Sequence, residues 1–325
     1  MSRLNELRMI ARVAQMYHIE GLRQAEIASH LRISQATVSR MLKRAQEEEI
    51  VRTTVVAPSG TYAELEAELR TRFGISEAVV VECQEDREGA IMARIGEAAA
   101  HFVEATLQPD EIIGVSSWSE TILRMVENIH PMKSGKAKYV VQTLGGMGDP
   151  RVQTHANQLT TRLAKLTGAE PHLLSAPGVA QSREAKLVLL SDSFVRETMN
   201  LFGKITLSIV GIGAMEPSSM LARSGNVFSS RELAEIAEAG GVGDISLRFF
   251  DEQGGLVKTP LDERVIGMSF EELSKVDRVI ALAGGRSKTA AIRGALRTGV
   301  IDILITDRFT AGRLVGSSGA REAAG

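Results

Sequence analysis

Two groups of residues in this sequence have the types and spacing to do chemistry. The first is confined to one short stretch: Gln24, Ser34, Gln35, Ala36, Thr37, Ser39, Arg40, Lys43 and Arg44. Amides and hydroxyls hydrogen-bond to base edges, an alanine methyl meets a thymine methyl, and cations neutralise backbone phosphates, so this set suits double-stranded DNA. The second group is scattered over the remainder: Ser116, Ser117 and Trp118; Gly145, Gly146 and Met147; Gly213; Asp244; and Lys288. Most of these fall where a β-branched run gives way to a helical one. At such places glycines let a ligand approach the backbone, and helix N-termini present free N–H groups. Asp244 can accept bonds from sugar hydroxyls. Lys288 stands at the first turn of an expected helix, where a cation opposes the helix dipole and a bound phosphate would account for it. Each of these residues also has a plain structural role open to it. Glycines serve tight strand-to-helix turns, Asp244 can cap a turn, Trp118 can fill core, and Lys288 can be a solvated lysine.

The elements that must position the first group are three short helices. Leu4, Leu7, Ile10, Ala11, Val13, Ala14 and Tyr17 recur at helical spacing, and Gly21 can end that helix. Gln24 to Leu31 reads as a second helix with Ala25, Ile27, Ala28 and Leu31 turned inward, Ala28 being small where two helices cross. Ser34 is a suitable N-cap for a third, from Gln35 to about Gln46, because its hydroxyl can accept from the N–H of Ala36 or Thr37. Val38, Met41 and Leu42 then form the buried stripe, leaving the polar set outside. A generic three-helix bundle with a solvated polar face is the alternative. Arg32 occupies a turn that calls for positive φ, at a cost of about 1 kcal/mol for a non-glycine residue. "EEEIVRTTVVAP" predicts a short strand ending at Pro58, and "TYAELEAELRTRF" a helix. The expected organisation is a DNA-binding domain over 1–57, a linker helix over 58–74, an effector domain over 75–316 and a disordered tail over 317–325.

The second group sits in a chain that alternates β-branched and helical runs: "EAVVVEC", "EIIGVSS", "YVVQTLGG", "ITLSIVGIGAM", "VDRVIALAGG" and "IDILITD" are the strands. That alternation predicts βαβ units on a mainly parallel sheet with helices on both faces. Asp244 is expected at the start of a further strand in "GGVGDISLRFFD". Composition agrees with an α/β protein: 44% of residues are apolar, only 4% are aromatic, and there are 30 glycines. Charge is divided unevenly. Residues 1–57 hold nine Lys or Arg against six Glu, whereas the remainder is net acidic; this fits one terminal module that touches phosphate. A single cysteine, Cys83, excludes an internal disulfide, and no apolar run reaches the ~20 residues needed to span a bilayer, so a cytoplasmic location is expected. There is no Walker motif, HExxH, GxSxG or Cys/His metal spacing, and "GIGAM", "LGGMG" and "GVGDI" fall short of a dinucleotide fingerprint. No enzyme of a recognised type and no cofactor or metal is called for.

The stretches "GLRQAEIASHLRISQATVSRMLKRAQEEEIV", "IIGVSSWSETI", "VQTLGGMGDPRVQTHANQLTTRLA", "APGVAQS", "GIGAMEPS", "GVGDISLRFFDEQG", "RVIGMS" and "AGGRSKTAAIRGAL" followed by "IDILITD" resemble the SorC family of bacterial sugar-responsive transcriptional regulators. The resemblance covers nearly the whole chain in order. It implies an N-terminal helix-turn-helix module that binds operator DNA. It also implies an effector domain related in fold to ribose-5-phosphate isomerase and glucosamine-6-phosphate deaminase, controlled by a sugar phosphate or polyol. Family members are commonly tetramers, built as dimers of dimers, that bridge operator sites. By position, the phosphate and backbone loops fall on Ser116, Ser117, Gly145, Gly146 and Met147, and the effector-contacting positions on Asp244 and Lys288. Two departures stand out: Ser116-Ser117 where many relatives have one serine before the tryptophan, and Arg32 in place of a turn glycine. A second reading, a sugar-phosphate isomerase or deaminase with an appended DNA-binding module, rests on fold kinship alone.

Overall fold

The computed structural model describes residues 3–51, 60–116, 118–132, 137–146, 150–216 and 229–316, without the side chains of 150–155 and 230. The chain forms two compact units, Met1–Pro58 and Ser59–Gly325. In the first, α1 (Arg3–His18), α2 (Gln24–Leu31) and α3 (Gln35–Glu47) pack around Val13, Met16, Ile27, Ala28, Val38 and Leu42. The buried stripe of α1 is narrower than its apolar spacing: Leu4 and Tyr17 are exposed, as is Ala11, while Met16 is buried. Ala25, expected inward on α2, is exposed. A helix buries only the arc its neighbours cover, and here those neighbours are two short helices. The α2–α3 turn behaves as expected. Arg32 adopts φ 54° and ψ 43°, in the left-handed region, and its N–H reaches back to Ala28 and Ser29 carbonyls. In place of the start of the strand expected to end at Pro58, Glu47 closes α3 and 48–51 form turns and bends, while 52–58 lie outside the described residues, as does the tail 317–325.

The second unit holds a seven-stranded sheet in the order β1-β10-β9-β5-β2-β3-β4, every pair parallel. Its strands are β1 (Glu77–Val81), β2 (Glu111–Val115), β3 (Ala137–Gln142), β4 (Glu170–His172), β5 (Leu207–Gly211), β9 (Arg278–Leu282) and β10 (Ile303–Asp307). Helices cover both faces, which is why strands such as β10 are buried throughout and open on the apolar run Ile303, Leu304 and Ile305. Ile113, Ile209, Ile280 and Ile305 pack on one face with α5 (Glu88–Thr106) and α6 (Glu120–Asn128). Val141, Val210, Val279 and Leu304 pack on the other with the helices Thr289–Arg297 and Arg308–Gly316. The helix Ala63–Phe73, read from the sequence as a linker, is counted in this unit, where Leu69 is fully buried in the core.

"ITLSIVGIGAM" is not one strand. β5 ends at Gly211, and Gly213–Ala214 (β6) joins a separate antiparallel sheet with β7 (Gly241–Ile245) and β8 (Arg248–Asp251). The neighbours of β5 stop there: Gly211 pairs with Leu282, the last residue of β9, and β2 ends opposite Ile209. With no ladder left to extend, the chain leaves the large sheet and pairs Gly213 with Asp244. From β2 the chain runs outward through β3 and β4, then returns to the other side of β2 as β5 and continues to β9 and β10. The order therefore reverses between β2 and β5, the place where open α/β sheets bind ligands. Among the described residues no helix is long and apolar enough to cross a membrane.

Candidate functional site

A cavity of about 620 Å³ opens at that reversal point. Ser116, Trp118 and Ser119 line it beyond β2, Gly211 to Glu216 beyond β5, Ser287 and Lys288 beyond β9, and Glu88 and Met92 from α5. The β7–β8 hairpin contributes Val242, Asp244, Ser246 and Leu247. Five residues singled out from the sequence, Ser116, Trp118, Gly213, Asp244 and Lys288, thus meet around one space although 172 positions separate the first from the last.

Asp244 is the penultimate residue of β7 rather than the start of a strand. Its side chain is only 8% exposed, and its Oδ2 accepts from the Leu247 N–H at 2.8 Å. Ser246 and Leu247, the two central residues of the hairpin turn, have φ of 52° and 62°. Neither is glycine, so each carries backbone strain of about 1–3 kcal/mol, a cost that proteins concentrate at functional sites. Across the ladder, Gly213 is required by the carboxylate: a Cβ there would lie 2.0 Å from Asp244 Oδ1. Burial pushes the Asp244 carboxyl up to about 6, against the opposing pull of the Leu247 N–H and the Lys288 ammonium. Lys288 is half-buried. Loss of solvation lowers its pKa from the ordinary value, while Asp244, Glu88 and Glu120 act to raise it.

Trp118 serves both of its possible roles. It is buried among Leu144, Leu247 and Phe249, its Nε1 donates to the Gly145 carbonyl at 2.9 Å, and it walls the cavity. Gly145 and Gly146 are not on the cavity wall. A Cβ on Gly145 would come within 2.3 Å of the Pro177 carbonyl oxygen, and one on Gly146 within 2.3 Å of the Gln142 side-chain nitrogen, so packing alone accounts for both. Ser117 and Met147 lie outside the described residues. The sequence reading missed Glu88, Ser119, Glu120 and the Ser246-Leu247 turn. Glu88 and Glu120 carry only the signal of an acidic residue opening a helix, and the turn lacks the Asn or Gly that marks such hairpins.

On the first unit, Ser34, Gln35, Ala36, Ser39, Arg40 and Lys43 are exposed along one side of α3, and Thr37 and Gln24 are half-buried. Ser34 caps the helix, its Oγ accepting from the Thr37 N–H at 3.1 Å and standing 2.8 Å from Thr37 Oγ1. Arg40 folds back along the helix toward the Ala36 carbonyl and Thr37 Oγ1, both at 3.4 Å. Lys43 makes only a loose pair with Glu47. Arg44 is held between Glu6 and Glu48, and its hydrogen bond keeps the Glu6 carboxyl below the usual range. It is therefore less available to a phosphate than Arg40 or Lys43.

Family models match both units: a sugar-binding domain (Sugar-bind) over residues 58–316 and a homeodomain-like domain over residues 4–51. The sorbitol operon regulator of Klebsiella pneumoniae is 30% identical over 313 residues, which is 96% of this chain and 98% of that protein. This chain belongs to the SorC family. The full-length structure of the same K. pneumoniae SorC regulator matches with a TM-score of 0.72 at 29% identity, over 95% of this chain and 98% of that one. The deoxyribonucleoside regulator of Bacillus subtilis is 30% identical over 93% of this chain and 95% of its own length. These SorC relatives are transcriptional regulators carrying a sugar-binding domain, not enzymes, and the isomerase or deaminase reading is set aside. The chain is a DNA-binding regulator with a sugar-binding domain.

Proposed function

We propose that this SorC-family chain regulates a carbohydrate or polyol operon from the cytoplasm. The outer face of α3, from Gln35 to Lys43, enters the major groove of operator DNA, with residues 1–57 as the DNA-binding domain and 75–316 the effector domain, against whose core the helix Ala63–Phe73 packs. A small sugar or polyol, in phosphorylated form, occupies the cavity and biases the arrangement of subunits in a tetramer built as a dimer of dimers. The proposed kinship of the effector domain with ribose-5-phosphate isomerase and glucosamine-6-phosphate deaminase would supply such a pocket. What carries this reading is Asp244, a nearly buried carboxylate raised to about 6 by desolvation at the edge of an open cavity. A charge kept there at a cost in stability calls for a polar ligand. Thermal-shift screening of sugars, polyols and their phosphates tests it, since a ligand at 100 times its Kd stabilises the fold by about 2.7 kcal/mol. A hit that also changes operator mobility in a gel shift supports the reading. A hit without any effect on DNA binding counts against it.

A further inference from the structure

The β7–β8 hairpin also borders a second, much smaller space. It measures about 10 Å³ and is lined by Thr143 and Ser208 from the parallel sheet, by Ser246 and Arg248 from the hairpin, and on its apolar side by Phe270 and Leu273. Ser246 lines the 620 Å³ cavity as well, so the strained turn borders both. Six buried side-chain polar atoms make no hydrogen bond to the described residues, and three of them, Thr143 Oγ1, Ser208 Oγ and Arg248 Nε, belong to this lining. Thr143 and Ser208 are each only 1% exposed. Strand order brings them together: Ser208 pairs with Gly114 on one side of β2, and Thr143 follows the end of β3 on the other. Gly114 permits the approach, because a Cβ there would come within 2.9 Å of the Thr143 methyl. Arg248 Nη1 donates to the Asp262 carbonyl at 3.3 Å and to its carboxylate at 3.2 Å, which occupies the outer end of the guanidinium and leaves Nε over.

Buried polar groups are paired in folded proteins, and one left alone lowers stability. Three such groups around one space call for a shared partner. A water molecule needs about 10–15 Å³ and two to four polar partners. The space is too small for a sugar, and the Arg248 guanidinium opposes a cation. Water fits the donor set: it accepts from Arg248 Nε and donates to the hydroxyls of Thr143 and Ser208, each of which can also donate in turn. We propose that one ordered water is built into this space, and that through it the hairpin carrying Asp244 is tied to the parallel sheet. The inference is independent of what occupies the larger cavity.

Thr143→Val tests the assignment by the sign of its effect, since it keeps the side chain's shape and exchanges the hydroxyl for a methyl. A hydroxyl bonded to water loses that bond, so the melting temperature of the full-length protein is expected to fall by about 2–4 °C. An orphaned hydroxyl is better removed, so an unchanged or higher melting temperature would overturn the proposal. Ser208→Ala is expected to shift it in the same direction. The tie to the hairpin has its own readout: amide hydrogen exchange across residues 241–251 is expected to speed up several-fold in Thr143→Val, and unaltered protection there would sink that half of the proposal. A high-resolution crystal structure of the wild-type protein needs no variant to fold. One water is expected at about 2.7–3.2 Å from Thr143 Oγ1, Ser208 Oγ and Arg248 Nε. Hydroxyls turned instead to backbone carbonyls, with no water between them, would refute it.

Discussion

The outer face of α3 and the cavity beneath the β7–β8 hairpin hold polar groups under opposite conditions. On α3 the side chains of Gln35, Ser39, Arg40 and Lys43 stand in solvent, and none of these residues carries backbone strain. In the cavity Asp244 is nearly buried, Lys288 is depressed by desolvation, and two residues of the adjoining turn are strained. Exposed charge costs little, so a DNA-reading face can be laid out on a cheap, regular pattern and read off one helix. Buried charge is expensive, so it persists only where something else in the molecule holds it, and that support comes from distant segments.

Substitutions can break or sharpen this contrast, and the largest effect is expected in the cavity. The Asp244 carboxyl is raised from 3.8 to about 6 in the folded state. A raised carboxyl binds its proton more tightly when folded, so its contribution to stability falls as pH rises from about 4 through 6. Its ionisation costs about 3 kcal/mol above that window. Asp244→Asn is therefore expected to stabilise the second unit by up to that amount at pH 7 and scarcely at pH 4, while abolishing the response to effector. Denaturant unfolding at the two pH values checks it, and equal unfolding of wild type and variant at pH 7 would contradict the assigned burial cost.

Next in size, Gly145→Ala should destabilise by about 1–3 kcal/mol through overpacking against Pro177. If its role were instead to admit a ligand, affinity would drop while melting temperature held. On the α3 side, Arg40→Ala is expected to weaken operator binding about tenfold or more in a gel shift without lowering stability, and wild-type affinity would remove α3 from the groove. The wild-type affinity should also fall steeply with salt, because many contacts go to phosphate. Ser34→Ala should cost about 1 kcal/mol of first-unit stability by removing the cap on the Thr37 N–H. The smallest change is Arg32→Gly, expected to relieve up to about 1 kcal/mol of left-handed strain. Should operator binding weaken at the same time, Arg32 also touches the DNA backbone.

The two regions were unequally legible in the sequence for the same physical reason that they differ in energy. In the first unit the cap at Ser34, the small Ala28, the turn at Arg32 and the stripe of Val38 and Leu42 are local, each fixed by spacing of four residues or fewer. What local spacing did not show there was the width of the α1 stripe and the ion pair of Arg44, whose partner Glu6 lies 38 residues away. In the second unit the strands and helices were visible because βαβ periodicity is local too. Neither the break of "ITLSIVGIGAM" at Ile212 nor the hairpin at Ser246-Leu247 was, since one depends on where neighbouring strands stop and the other runs against turn preference.

The sequence by itself determined the elements, the exposed chemistry of α3 and the family, because helix periodicity, capping and β-branched alternation are written in neighbouring residues. Only the tertiary structure decided that Gly145 and Gly146 serve packing while Gly213 clears room for a carboxylate. It alone brought Glu88 and Glu120 to Lys288. Those assignments depend on strand order, which carries side chains from distant segments to one edge of a sheet.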